Sequence, residues 1–407
     1  MNIVRYIFNE LILINKNIAM AFRSLFWKKD DGVVIVGAWF GERFADNSRF
    51  LFQYLCENKK KLGLKHVVWV SHSESLIKEL KQMGYEAVKL GSRESIYYHK
   101  IARFHICNNS AAGSTERGNE IDAYYSFRAK RINLWHGIGI KGGEFCSNRY
   151  LDRKKRHPII CSLYEKMHNI ELFRLYCKYP GGWGNCYWLS TTPAFTEYLH
   201  KWNIGPYSHY MELDYPRNHK CLKLTQEESE VVALIKQHKK TAIYLPTFRD
   251  DKIKFDFSFL ADSISLSLEA NDILWIQKTH SVDKSDSLQH SQNIITLDSK
   301  FDINVLLPYI SVVITDYSSV SIDAIYHEKP VVYYVPDWDY YINSDRGFVE
   351  RIEDYFAGPI ARTENDVLKN ILSPPVLDEH YYYVRNRYWR HDMTYSDIWK
   401  GIKESTS

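Results

Sequence analysis

Apolar positions along the chain follow two alternating rhythms. Short β-rich runs, "GVVIVGAW" (32–39), "HVVWV" (66–70), "EAVKL" (86–90), "RFHICN" (103–108) and "RINLW" (131–135), are separated by stretches with helical spacing. Such runs predict strands buried on both faces, and helices between them make βα units of a parallel sheet. A helix is expected after the first run, capped near Asn47 or Ser48, and another between Ser73 and Gly84. A second series begins at "TAIYLP" (241–246) and continues through "DILWIQK" (272–278), "NIITL" (293–297), "SVVIT" (311–315) and "PVVYYV" (330–335). The stretch from 145 to 213 is less regular and predicts helices and loops connecting two sheets. The expected organisation is an N-terminal helix (1–30), a Rossmann-like domain (31–213), a second Rossmann-like domain (214–380) and a helical tail (381–407).

In the first segment Ile7, Leu11, Ile14, Ile18, Phe22 and Leu25 recur at steps of three and four, so they line one stripe of a helix. Arg5, Lys16, Arg23, Lys28 and Lys29 surround it with positive charge. No apolar run approaches the roughly 20 residues that span a bilayer, and a signal peptide's uncharged core and cleavage site are lacking. The pattern suits a helix lying on an anionic inner leaflet, and equally one packed onto the first domain.

Composition narrows the class. In 407 residues, 45% hydrophobic and 25% charged positions exclude a disordered chain. A net charge of +4 is too small for a whole-chain nucleic-acid footprint, so no nucleic-acid partner is expected. Aromatic residues at 15%, among them 30 Tyr and 11 Trp, suit sugars, polyols or interfacial lipid, and also core packing. The seven cysteines are odd in number with no Cys-x-x-Cys pair, as in a reduced cytoplasmic protein.

Polar clusters sit where strands end, the place at which open α/β sheets bind ligands. Gly41, Glu42 and Arg43 follow the first strand, "WHG" (135–137) the fifth, and "PTFRDD" (246–251), "KTH" (278–280) and "TDYSS" (315–319) strands of the second series. In the last of these, Thr315 and Asp316 end a strand while Ser318 and Ser319 open a helix, an arrangement that serves either as a plain cap or as a phosphate site. The run Arg153, Lys154, Lys155 and Arg156 reads as a solvated loop or as a guide for an anionic acceptor or leaflet.

Taken in order, "NLWHGIGIKGG" (133–143), "YPRN" (215–218), "YLPTFRDD" (244–251), "KTH" (278–280), "TDYSSVSIDAIYHEKPVVYY" (315–334) and "DRGF" (345–348) make the chain resemble the CDP-glycerol glycerophosphotransferase family, the teichoic acid primases and polymerases with capsule-building relatives. The resemblance implies a GT-B architecture, two Rossmann-like domains facing across a cleft. It implies transfer of glycerol phosphate from CDP-glycerol to a hydroxyl of a lipid-linked or polymer acceptor at the inner face of the bacterial membrane, with CMP released. Transfer of another CDP-polyol such as ribitol phosphate, or GT-B glycosyl transfer, are the alternatives. His136 is then the residue that takes the acceptor proton, and His280 a phosphate ligand or the group that offsets charge on leaving CMP. Lys141 and Arg249 would neutralise pyrophosphate. Gly137, Arg217, Thr247, Lys278, Thr315, Asp316, Ser318 and Ser319 belong to the matched motifs as substrate-binding positions, and Asp323 suits ribose hydroxyls. Asp250 and Asp251 suit either Arg249 or a divalent cation, and no metal is assigned. The chain departs from the family pattern at Ile138, where Thr is usual, and at Asp214 and His219 on either side of "YPRN".

Overall fold

The structure, a computed structural model, describes residues 3–109, 119–142, 145–146, 148–202, 209–247, 258–278, 293–339, 341, 348–390 and 393–407. The chain divides into two compact units, one formed by residues 1–136, 150–222 and 392–407 and the other by residues 137–149 and 223–391.

The first unit carries β1 (Asp30–Val36), β2 (His66–Ser71), β3 (Glu86–Lys89), β4 (Ala102–Cys107), β5 (Lys130–Asn133), β6 (Tyr187–Ser190) and β7 (His209–Glu212). They pair in parallel in the order β3-β2-β1-β4-β5-β6-β7. Val34 stands opposite Val67 on one side and Phe104 on the other. Strands flanked on both sides and covered on both faces bury every side chain, so Val33 to Val36 are at most 1% exposed. Burial of each contributes about 1.5–3 kcal/mol. The longer helices of this unit up to residue 222 are α1 (Ile3–Ser24), α2 (Asp46–Glu57), α3 (Glu74–Gln82), α4 (Arg93–Ile101), α5 (Asn148–Arg156), α6 (Pro158–His168) and α7 (Pro193–Trp202). Ser73 opens α3 by accepting from the Leu76 N–H. The segment 145–213 is more than a connection, because it supplies β6 and β7 to the same sheet. Four-residue strands are too short to display a period amid a run rich in Tyr, Trp and Gly.

The second unit carries β8 (Lys240–Leu245), β9 (Ile273–Lys278), β10 (Ile294–Leu297), β11 (Val312–Thr315), β12 (Val331–Tyr334) and the two-residue β13 (Ile360–Ala361). Their order is β10-β9-β8-β11-β12-β13, again parallel throughout. Its helices are α8 (Gln226–Ile235), α9 (Ser258–Ala270), α10 (Val320–Tyr326), α11 (Glu364–Leu372) and α12 (Glu379–Tyr388). The expected tail is shared between the units. Near α12, the Trp389 indole donates to Ile322 O (2.7 Å) and Arg385 to Ile325 O (3.1 Å), both carbonyls of α10. The last helix, α13 (Tyr395–Ser405), belongs to the first unit. There the Trp399 ring lies 5.0 Å from that of Phe104, and a Cβ at Gly401 would fall 2.4 Å from Leu213 Cδ2, so a larger residue would have to displace that side chain.

Helix α1 docks on the first unit by a mixed face, with Asn17 and Ser24 buried and Leu13, Ile14, Met20 and Ala21 half-buried. Asn17, fully buried, donates to Tyr176 O (2.8 Å) and Tyr179 O (3.0 Å) and accepts from the Gly181 N–H (2.9 Å). Arg128 donates to the carbonyls of Ser24, Leu25 and Trp27, satisfying groups at the helix C-terminus that have no helical partner. Leu11, Ile18, Phe22 and Leu25 of the expected apolar stripe are left exposed, with Phe22 at 64% and Leu25 at 62%. A surface helix ordinarily does the reverse. Of the surrounding cations, Lys29 turns inward and donates to His99 O (3.1 Å), and burial among Arg128, Arg103 and Arg131 brings it down to about 7.

Below α1 lie two fully buried imidazoles. His99 Nε2 accepts from the Asp122 N–H (2.9 Å) while its Nδ1 lies 2.7 Å from Ser95 O, and His105 Nδ1 lies 2.9 Å from Ser126 Oγ. Burial pushes His99 down to about 4 and His105 well below its ordinary value. Between about 6.5 and 4 the unfolded chain therefore binds more protons than the folded one, so stability falls as pH is lowered through this window. The slope is up to about 1.4 kcal/mol per pH unit for each histidine. Melting temperature followed from pH 7 to pH 4.5 checks this, and a flat profile contradicts it.

Candidate functional site

The turn after β5 carries the first candidate, His136. Trp135 sits in the left-handed region at φ 59°, a conformation that costs a bulky residue about 1–3 kcal/mol. Other contacts hold it there. Asn47 Nδ2 donates to the carbonyls of Leu134 (3.2 Å) and Trp135 (3.1 Å), and Asn133 Oδ1 accepts from the Trp135 N–H (2.8 Å). Arg217 Nη1 donates to His136 O at 2.8 Å and pairs with Asp46, both side chains being 3% exposed. Arg217 is expected from its motif to bind substrate; its guanidinium pairs with buried Asp46 and donates to the His136 backbone. The pattern predicts the cap of α2 near Asn47 or Ser48. The N-cap of α2 is Ala45, without a side-chain bond, because the Asn47 amide reaches across to the β5 turn instead.

The His136 ring is half-buried, and its enclosed Nδ1 has no hydrogen-bond partner among the described residues. Burial pushes its pKa down to about 4, with Arg217 adding to the fall and Asp46 and the Asn108 backbone opposing it. The imidazole is therefore neutral at physiological pH and able to accept a proton. Trp39 flanks it edge-on at 6.4 Å, in a loop after β1 where Trp39, Phe40 and Gly41 all have positive φ.

The strand order of this sheet reverses between β1 and β4. Glu120 fills that point, its carboxylate accepting from the N–H groups of Asn108 (2.7 Å), Asn109 (3.1 Å) and Phe40 (3.4 Å). Gly37 is required beside it, since a Cβ would lie 2.1 Å from Glu120 O. Burial raises the carboxyl to about 7 against the pull of those three amides.

In the second unit the strand order reverses between β8 and β11, the switch point where doubly wound sheets receive nucleotides. Thr247, Thr315, Asp316, Ser318 and Ser319 gather there. The Asp316 carboxylate accepts from the Thr247 N–H at 2.9 and 3.0 Å and from the Tyr317 N–H at 2.6 Å, and Thr315 Oγ1 donates to Leu245 O at 2.7 Å. These two side chains tie the strand ends together. Ser318 and Ser319 are half-buried at the start of α10, and Ser319 makes no side-chain capping bond. Asp323 is 3% exposed inside α10.

The segment after His136 is built into this second unit. Tyr355 donates its hydroxyl to Ile138 O (2.8 Å) and Val349 its N–H to Ile140 O (2.8 Å). Gly137 is buried, and Lys141 bridges to Phe348 with its ammonium 5.6 Å from the Tyr341 ring centroid. That ring stacks at 3.7 Å on Tyr317, which places Lys141 beside the 315–319 loop. Lys278 Nζ donates to Phe301 O at 2.6 Å. His280, Arg249, Asp250 and Asp251 lie outside the described residues.

The departures from the family pattern occupy packed positions. Ile138 is 1% exposed. The Asp214 N–H lies 3.4 Å from Met393 Sδ, and the His219 ring 5.0 Å from Tyr395, so both meet the segment that leads into α13. Among the described residues no cluster of three or more His, Cys, Asp or Glu is placed to hold a metal ion.

The sequence model of the family described as CDP-Glycerol:Poly(glycerophosphate) glycerophosphotransferase matches residues 19–397. A teichoic acid poly(glycerol phosphate) polymerase of Bacillus spizizenii is 22% identical over 355 residues, covering 84% of each chain. A teichoic acid glycerol-phosphate transferase of Staphylococcus aureus is 23% identical over 378 residues, 88% of this chain and 89% of that one. The solved wall teichoic acid polymerase TagF superposes with a TM-score of 0.66 at 17% identity, over 99% of this chain and 96% of that one, which establishes a shared fold.

Proposed function

Because the chain belongs to the CDP-glycerol:poly(glycerophosphate) glycerophosphotransferase family, we propose that it moves glycerol phosphate from CDP-glycerol to a hydroxyl of a polymer or lipid-linked acceptor and releases CMP. The acceptor oxygen attacks the β-phosphorus, the bond from that phosphorus to the bridging oxygen breaks, and CMP departs with the electron pair. Such a transfer needs positioning and charge neutralisation more than covalent chemistry. His136 takes the acceptor proton as the oxygen attacks. The observation that carries this is the neutral, half-buried imidazole in a strained turn at a strand end. The nucleotide is assigned to the β8/β11 switch point, with Ser318, Ser319 and Lys141 toward the phosphates. Arg249 and His280 are the further groups proposed for the phosphates, and Asp323 the one proposed for the ribose hydroxyls.

The assay is incubation with labelled CDP-glycerol, CDP-ribitol and UDP-sugars beside an acceptor fraction. CMP released from CDP-glycerol is the expected product. Turnover of CDP-ribitol in its place moves the substrate to the ribitol polyol, and UDP release moves the chain to glycosyl transfer.

A lipid-linked acceptor calls for attachment to the membrane surface. No helix among the described residues is long and apolar enough to cross a membrane. The open stripe of α1 and the exposed Ile159, Ile160 and Leu163 of α6 instead offer apolar side chains within one unit, with Lys16, Arg23 and Lys28 around the first and the Arg153 to Arg156 run of α5 beside the second. Anionic lipid suits that charge, each near-surface cation contributing about 1 kcal/mol. Phe22→Glu combined with Leu25→Glu alters only exposed side chains, so it should leave the melting temperature unchanged and abolish sedimentation with phosphatidylglycerol vesicles. High salt should weaken the binding of the unaltered protein without eliminating it. Retained sedimentation of the double variant contradicts attachment through α1.

A further inference from the structure

The three carbonyls of Leu134, Trp135 and His136 follow the end of a strand, where a loop would ordinarily turn them to water. Here protein donors take all three, two from Asn47 and one from Arg217. The donors are themselves locked. Asn47 Oδ1 accepts from the Arg217 N–H (3.2 Å), so both ends of its amide are used and the amide has one orientation consistent with its neighbours. Asp46 accepts from the Asn47 N–H (2.7 Å) and holds the Arg217 guanidinium. Asp46, Asn47 and Arg217 are 2%, 0% and 3% exposed, and Asp46, like Trp135, has a positive φ (66°). The result is a buried network from the start of α2 through the 216–218 turn to the β5 turn. Its outputs are the backbone atoms that determine where the His136 ring lies.

We propose that Asn47 and the Asp46–Arg217 pair are positioning residues that hold His136 in its proton-accepting pose, a role that rests on the assignment of His136 as the base. None of the three need touch substrate. Trp135 would otherwise relax toward an extended conformation, because a bulky side chain at positive φ persists only where its surroundings over-determine it. A rotation there swings the next residue, and a displacement of about 1 Å in a reacting group costs about 100-fold in rate.

The test is a kinetic cycle on the full chain with labelled CDP-glycerol. Asn47→Ala should lower kcat about 100-fold with KM for CDP-glycerol unchanged. The double variant His136→Ala with Asn47→Ala should be no slower than His136→Ala alone, since a residue acting through the imidazole has nothing to position once it is gone. Asn47→Asp, which keeps the acceptor to Arg217 and the side-chain shape while losing both donated bonds, carries the same expectation if the alanine variant does not fold. A wild-type kcat in the folded Asn47 variant overturns the proposal, as do losses that add in the double variant. An unchanged rate in His136→Ala is a different result, which removes the base assignment beneath it.

Discussion

Replacing His136 with alanine should lower CMP release from CDP-glycerol by about 1,000-fold, within the range that a general base contributes, and leave the fold intact. The ring is half-buried, and truncation would remove its contact with the Asn108 backbone while leaving the contacts that hold the turn itself. What holds the turn is the backbone contact with Asn47 and Arg217, which alanine retains. The pH profile gives a second readout. Because burial places His136 at about 4, the imidazole stays unprotonated down to that value. The acid limb of kcat/KM for the unaltered enzyme should therefore fall nearer pH 4 than the ordinary histidine value of about 6.5. Near-normal turnover with an unchanged melting curve removes His136 from the chemistry.

Arg217→Ala should unfold or severely weaken the first unit, by about 3–5 kcal/mol, because Asp46 would be left as an uncompensated buried charge. On a protein of this kind that corresponds to a fall in melting temperature on the order of 10 °C. A residue whose work was to grip the substrate would behave differently, raising KM and leaving the melting curve alone. Thermal unfolding with KM for CDP-glycerol measured below the transition separates the two. An unchanged melting temperature with weakened substrate binding would return Arg217 to the substrate-binding role that its motif suggested.

Much of the site could be read from the chain because strand ends announce themselves. "WHG" and "TDYSS" stand directly after apolar runs, and such positions become the carboxyl edge of a parallel sheet whatever the strand order. The roles within those motifs were harder to assign. Thr315 and Asp316 look like ligand contacts in the linear pattern, yet they fasten β11 to the end of β8 through Leu245 O and the Thr247 N–H, partners about 70 residues away. Asp46 and Asn47 resemble an ordinary helix start, and nothing local marks an amide that donates 87 and 88 residues downstream.

The sequence by itself determined the two series of buried parallel strands, the presence of a first helix, the family and the position of His136 at a strand end. Periodicity and local motifs encode all of these over a few residues. Only the tertiary structure decided that β6 and β7 extend the first sheet, that α1 docks by Asn17 with its apolar stripe outward, and that Arg217 serves the His136 backbone. Each of those depends on which buried donor finds which acceptor, and hydrogen-bond satisfaction in a core is settled by residues far apart in the chain.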